Sequence, residues 1–365
     1  MTDTSPSWTL DLVDVNGTPL LTGGITEWDG FEVAEAEGGV PTSLVIGLPL
    51  ETDAAQTIAA TSGDDADVQA YIKAYRSPTG GDADRVLRVY APVIVDQVQG
   101  AAGLLLATAI EPMEILAQRF TLGQFAPTDL GELIFDMIDE TNLTDGETGI
   151  RVDHANITAT SSIDLDARTN IPSIASIISQ FFGMLDGVET WSRPIELAAG
   201  KIAELYASPT RGVVTDALFA YGPGTEANCT DMGRTRNTAS VGNDQRGYAE
   251  LLTQESRTNA ASIAAVRRRI AYTSFTGETS QTVLGLRTQG LVDRFGSRRA
   301  VAEYTIAPDE NAPRLYDDYD IGDTITAHFS DGVEWEVQQA VSSAKVIVDE
   351  SGIESPGAVT VRKPR

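Results

Sequence analysis

Residues 8–15, WTLDLVDV, alternate apolar and polar side chains, the period of a strand with one face on a core. Asn16-Gly17 follows, a dipeptide that tolerates the positive backbone angles of a tight hairpin turn, so a returning strand is expected from Pro19. SLVIGLPL at 43–50 has the apolar density of a buried strand. VLRVYAPVIVDQV at 86–98 alternates around Pro92, which lacks an amide donor and marks an edge or a bend. Gly100 to Gly103 turns the chain and LLLATAI at 104–110 returns. Within DVQAYIKAYR, Val68, Ile72 and Tyr75 share one helical face, which predicts a short helix. The first third therefore reads as a small antiparallel barrel or sandwich.

The period then changes. Asp129 with Glu132 three positions on is a helix-start signature, and Leu130, Leu133, Ile134, Met137 and Ile138 form one apolar stripe behind it. A second helix is expected with Pro172 at its first position, carrying Ile171, Ile174, Ile177, Ile178, Phe181 and Phe182 until Gly183 stops it. Stripes this wide must pack on each other or on a small sheet, for which IRVDHANI at 150–157 and VETWSRPIEL at 188–197 are the candidates. Strand patterns resume with KIAELYA and DALFAYGPG. Ser262, Ile263, Val266, Arg267 and Ile270 set another helical face, and a further helical segment is expected over 281–300. The chain closes on strands TITAHF, VEWEVQQAV and KVIVDE, with Ser330-Asp331-Gly332 as a hairpin connector.

Composition limits what such a fold can do. The 365 residues exceed what one core usually serves, and two or three domains are expected. Fifty-three acidic against 26 basic residues give a formal net charge of −27. Affinity for nucleic acid comes largely from cations that displace phosphate counterions, so specific nucleic-acid binding is disfavoured, as is an anionic membrane surface. Four of the basic residues are lysines and the rest arginines, a bias that points to a GC-rich or salt-adapted source. Cys229 is alone, which excludes an intramolecular disulfide and the multi-cysteine zinc patterns. The opening MTDTSPSWTL lacks the basic and apolar regions of a signal peptide, and synthesis in the cytoplasm is expected.

Candidate chemistry is sparse. DDYDIGD at 317–323 packs four aspartates into seven positions. As an EF-type calcium loop begun at Asp317 it would place Gly322 correctly, but Tyr319, Ile321 and His328 would fall where ligands belong. The segment is therefore expected to be a structural turn before a strand, with Asp320 bonding its own backbone two residues on, Gly322 supplying a positive φ and Asp323 leading out. No metal or cofactor site is expected. Hydrolysis by a nucleophile would need a base near Cys229 or a serine, and His154 and His328 are the two histidines; His154 is expected on a strand surface and Cys229 as a buried thiol. The arginines at 267–269 and at 298 and 299 are expected on solvated helix faces, with an interface as the alternative. Trp8, Trp28, Trp191 and Trp335 are scattered, as core or strand residues rather than a sugar-stacking platform would be.

Four segments in order resemble the tail hub, or minor tail and baseplate hub, proteins of long-tailed phages. AIEPMEILAQRF at 109–120 is similar to that family's strand, acidic turn and short L-x-x-R helix. The helical insert at 127–185, ending in a tryptophan strand, is the second. GPGTEANCTDMGRTRNTASVGN at 222–243 is similar to the asparagine-led strand entering a second barrel. APDENAPRLYDDYDIGDTITAHF at 307–329 is similar to a late loop ending in a D-x-G-D turn.

The resemblance implies an α+β, mainly β chain: two tube-like antiparallel β-barrel domains with helix-containing inserts. The expected division is a first barrel over 1–112, an α/β insert over 113–197, a second barrel from 198–250 and 307–365, and a helical insert over 251–306. It further implies a non-enzymatic homotrimer at the virion tail tip, partnered by a distal tail or tail tube protein, the tape-measure protein and tip or fibre proteins. A secreted or cell-surface carbohydrate-active β protein, hydrolase or lectin, is the alternative, and a salt-adapted scaffold a third.

Overall fold

A computed structural model describes residues 6–61, 69–78, 85–121, 124–144, 148–158, 162–166, 173–184, 187–196, 201–223, 227–237, 241–275, 278, 280–296, 299–307, 312–330 and 335–362. The alternating segments at the start become β1 (Ser7–Val13), β2 (Gly30–Ala36), β3 (Ser43–Pro49), β4 (Tyr71–Ser77), β5 (Val86–Gln99) and β6 (Leu104–Ile110), with helix α1 (Asp53–Thr61) after β3. The helix expected around Ile72 and Tyr75 is instead strand β4, in full antiparallel register with β1. Its interior face is Ile72, Ala74 and the wholly buried Arg76. A charged residue at an inward position hides the period of two that would have identified the strand.

The strand order here is β1-β4-β5-β6-β3-β2. A flat sheet of that width would hold its outer strands about 24 Å apart, at roughly 4.8 Å per step. Trp8 of β1 and Phe31 of β2 nevertheless meet edge to face with ring centroids 5.5 Å apart. The chain between them runs back along β1, the amides of Leu20 and Ile25 donating to the carbonyls of Leu12 and Leu10. The sheet is thus curled into a barrel around Leu10, Leu44, Ile46, Ile72, Val89 and Leu105.

A first insert follows. It holds β7 (Gln124–Asp129), α2 (Leu130–Thr144), β8 (Ile150–Arg151), β9 (Ser162–Asp166), α3 (Ile174–Phe182), β10 (Glu189–Pro194) and β11 (Ala203–Ser208). The expected stripe of α2 is buried, as are Ile177, Ile178 and Phe181 of α3. Both helices share one core with Ile150 and Leu205, strands β10-β11-β8 forming the small sheet beneath. Ser173 caps α3 by accepting from Ser176 N; Ile171 and Pro172 lie outside the described residues.

The second barrel begins with β12 (Val214–Tyr221) and β13 (Cys229–Asn237), is interrupted by β14 (Asp244–Tyr248), β15 (Glu255–Thr258), α4 (Ala260–Val266), β16 (Ile270–Ser274) and α5 (Gln281–Phe295), and resumes with β17 (Arg299–Ile306), β18 (Thr324–Phe329), β19 (Trp335–Asp349) and β20 (Glu354–Arg362). The stretch 251–306, expected as helical, therefore also carries β15 and β16, which pair with β14 just ahead of it in a three-stranded sheet, β15-β14-β16. The two inserts touch: Val283 of α5 joins the core of α2 and α3. Gly290 passes so near the Gly183 carbonyl that a Cβ would stand 2.1 Å from it. VEWEVQQAV and KVIVDE, expected as separate strands, are one strand, β19, and Asp331 and Gly332 of the connector lie outside the described residues.

The order in this barrel is β12-β18-β19-β20-β17-β13. Counted within each barrel, both read first, fourth, fifth, sixth, third, second. The likeness extends to detail. A bulge interrupts the fifth-to-sixth ladder between Val93 and Val95 in one and between Val341 and Ser343 in the other. Val93 N donates to Ala70 O just ahead of β4, and Val341 N to Asp323 O just ahead of β18. One difference stands out: β1 runs antiparallel to β4, whereas β12 runs parallel to β18. The barrels join edge to edge, Gly30–Ala36 of β2 pairing antiparallel with Ser343–Asp349 of β19, so that twelve strands form one sheet.

Candidate functional site: the seam between the barrels

The aspartates of DDYDIGD divide into two jobs, shaping their own segment and, at Asp317, reaching across this seam. Asp320, Gly322 and Asp323 shape the chain. Asp323 Oδ2 accepts from Asp320 N (2.8 Å), Asp323 Oδ1 from Val213 N (2.7 Å), and Asp320 Oδ1 from Ile321 N (2.7 Å). Asp320 thus serves the next residue rather than one two positions on. Gly322 has φ +90°, and a Cβ on it would lie 2.5 Å from Arg211 O. Its amide donates to Val341 O (2.8 Å), which ties the segment to β19.

Asp318 also serves local backbone, whereas Asp317 faces the first barrel. Asp318 accepts from Arg314 N (2.8 Å). Asp317 takes a two-pronged contact from Arg76 of β4, Nη1 to Oδ1 and Nη2 to Oδ2, both at 2.7 Å. The other side of the same guanidinium donates to Glu354 of β20, Nε to Oε2 at 2.7 Å and Nη2 to Oε1 at 3.1 Å, and Trp8 Nε1 shares that carboxylate at 2.9 Å. Burial opposes the charge on Arg76, but hydrogen bonds and attraction from Asp317 and Glu354 outweigh it and hold the group protonated beyond its ordinary range. A first-barrel arginine is thereby enclosed by two second-barrel carboxylates.

A second group sits alongside. Tyr316, at φ +75°, donates its hydroxyl to Glu35 Oε1 of β2 (2.7 Å), and Arg211 Nη2 reaches Glu35 Oε2 at 3.5 Å. Burial, then repulsion from Asp320, pushes the Glu35 carboxyl up, against the pull of Arg211. The Arg88 guanidinium lies 4.3 Å from the Tyr316 ring centre. Farther along, Arg362 of β20 grips Glu37 through two 2.6 Å contacts. Glu111, at the end of β6, is buried against the first insert and accepts from Thr42 N (3.0 Å) and Ser192 Oγ (2.9 Å). Burial pushes its pKa up to about 7, with Glu35 adding repulsion.

The residues weighed for catalysis are differently disposed. Burial raises the Cys229 thiol to about 12, which leaves almost no thiolate near neutrality. His154 is not on a strand but opens a short helical turn, where it contacts Glu132 of α2. The Glu132 hydrogen bond raises its pKa, as it does for a surface ion pair. Asp136, one turn along α2, brings a third donor atom within 4.8 Å of these two. His328 lies in β18 opposite Glu336. Trp8 is in the barrel core, and Trp28 packs edge to face on Phe31 and donates to Asp349 O (2.9 Å); the Trp335 side chain is outside the described residues. Arg268 pairs with Asp244 of the same chain at 3.6 Å, and Arg267 ends α4 at φ +67°. Arg298 lies outside the described residues.

The sequence matches no family model and no curated protein. Solved structures share its fold. The tail protein from Neisseria meningitidis MC58 superposes with TM-score 0.58 at 8% identity, over 98% of this chain and 97% of that one. A prophage tail protein from Listeria monocytogenes EGD-e gives 0.58 at 12% identity, over 97% and 94%. The 43 kDa tail protein of prophage MuSo2 from Shewanella oneidensis gives 0.56 at 13%, over 97% of each. The chain thus has a mainly β fold, with large antiparallel sheets, of the kind found in phage tail proteins. The fold expected from the sequence is the fold observed.

Proposed function

We propose that this chain is a structural, non-enzymatic subunit of a phage-type tail, at the tail tip of the virion. Three copies form a ring, and each contributes two barrels, so a threefold assembly presents six similar units to a sixfold tail tube or distal tail ring. The opposite face carries tip or fibre proteins, and the tape-measure terminus occupies the channel through which DNA leaves. The observation that carries this reading is the repeated strand order of the two barrels and their joining in one sheet. Near end-to-end superposition on tail proteins supports it.

The net charge of −27 suits this role. An anionic lumen repels passing DNA and keeps it from adhering. Mass photometry of the purified chain tests the assembly, and three copies per particle is the expected result. A chain that remains monomeric and turns over a substrate refutes the proposal. A reconstructed ring with an arginine-lined lumen refutes the charge argument alone.

A further inference from the structure

The junction between the barrels contains its own continuation. In the second barrel the fifth strand, β19, pairs with β18 through Trp335–Ala340; along the same edge, Ser343–Asp349 then accepts β2, the second strand of the first barrel. In the first barrel the fifth strand, β5, pairs with β4 through Val86–Pro92. Beyond Val93, whose amide is taken by Ala70, no described residue pairs with that edge. Ile94, Val95 and Val98 there are 43%, 53% and 59% exposed. The second strand of the second barrel, β13, correspondingly pairs with β17 alone among the described strands.

We propose that β13 of one copy adds antiparallel to the edge of β5 left unpaired among the described residues in the next, repeating between chains the β2–β19 junction made within the chain. This rests on the ring reading above. Open strand edges are ready templates for pairing, and a head-to-tail contact of this kind forms a closed ring when its rotation divides the circle.

The matched bulges fix the register. Val95 corresponds to Ser343 and, through the paired third strands, Asn237 corresponds to Ala36. Ser343 pairs with Ala36, Ala344 with Glu35 and Lys345 with Ala34. Val95 therefore meets Asn237, Asp96 meets Arg236, and Gln97 meets Thr235 of the neighbouring copy. The Asp96–Arg236 position sets opposite charges directly across the strands, which favours this register over a slip by one.

The test is a pair of cysteines, Gln97→Cys with Thr235→Cys, in the full chain carrying Cys229→Ser. Mild oxidation should give disulfide-linked species on a non-reducing gel that stop at three chains. The offset pair Gln97→Cys with Arg236→Cys points to opposite faces and should link far less. Asp96→Arg alone should raise the concentration for half assembly several-fold, and adding Arg236→Asp should restore it. Trimers by mass photometry without cross-links overturn the strand pairing and leave the ring intact. Monomers without cross-links at any concentration overturn both. Cross-linked rings of another size support the pairing and overturn the copy number.

Discussion

The side chain of Arg76 meets that of Asp317 through two parallel 2.7 Å hydrogen bonds across 241 residues of sequence, with the arginine wholly excluded from solvent. Glu354 holds its other edge. Removing one partner of a buried pair leaves an uncompensated charge, which typically costs about 3–5 kcal/mol, whereas replacing the whole set by apolar side chains is often nearly neutral. Glu354→Gln and Asp317→Asn should each lower the midpoint of thermal unfolding clearly. Arg76→Met should be at least as damaging, because it leaves two carboxylates facing each other. A midpoint unchanged within error in all three would show that the seam is held by the β2–β19 ladder alone.

Gly322 and Gly352 offer a comparison between strain and collision. Both have positive φ, +90° and +80°, but a Cβ on Gly322 would strike Arg211 O at 2.5 Å while one on Gly352 would meet only Trp28 at 4.0 Å. Gly352→Ala should cost about 1–2 kcal/mol, the ordinary penalty of left-handed backbone. Gly322→Ala should cost more, because the backbone at Arg211 must also move. Chemical denaturation of both variants checks the ranking, and equal midpoints would contradict it.

These two sites show what the sequence made legible. DDYDIGD announced a turn through its residue types, since aspartate and glycine act on neighbouring backbone. It gave no sign that Asp317 would neutralise an arginine on β4, because that partner depends on how distant strands order themselves. The stripes of α2 and α3 were plain because helical contacts recur every three or four residues. Strand β4 was misread because Arg76 occupies an inward position. The shared strand order was invisible, as it resides in non-local pairings that need no similarity of side chains between Val93 and Val341 beyond size and shape.

Glu111 should make stability depend on pH. In an unfolded chain its pKa lies near 4.5, and in the fold it is pushed up to about 7, so the folded state holds the proton more tightly. The contribution is fully present below about pH 4.5, declines as pH rises towards 7 and levels off above, a change of about 3 kcal/mol at most. Glu35 is shifted in the same direction and adds to the slope. Glu111→Gln keeps an acceptor for Thr42 N and Ser192 Oγ without the charge. It should flatten the decline and leave the variant more stable than the parent at pH 8. Parallel stability curves for the two proteins between pH 5 and 8 would contradict this.

Asn228 joins the ends of the second barrel. Its side-chain oxygen accepts from Ala220 N at 2.9 Å, its Nδ2 donates to Leu218 O at 2.7 Å, and its own amide donates to Ala220 O at 3.0 Å. β12 and β13 leave in different pairings from this point, β12 to β18 and β13 to β17, so one side chain does what a ladder rung does elsewhere. Asn228→Ala should cost about 2–3 kcal/mol, because both backbone groups of β12 lose their partner in a half-buried place. Asn228→Asp is the sharper variant: it keeps the acceptor for Ala220 N but sets a charged oxygen against Leu218 O, and should be no more stable than alanine. Amide exchange at Ala220 reads the effect directly, rising in the alanine variant and staying slow in the parent. Equal exchange in both would mean that the barrel is closed by its core, through contacts such as Phe219 with Tyr304, rather than by this asparagine.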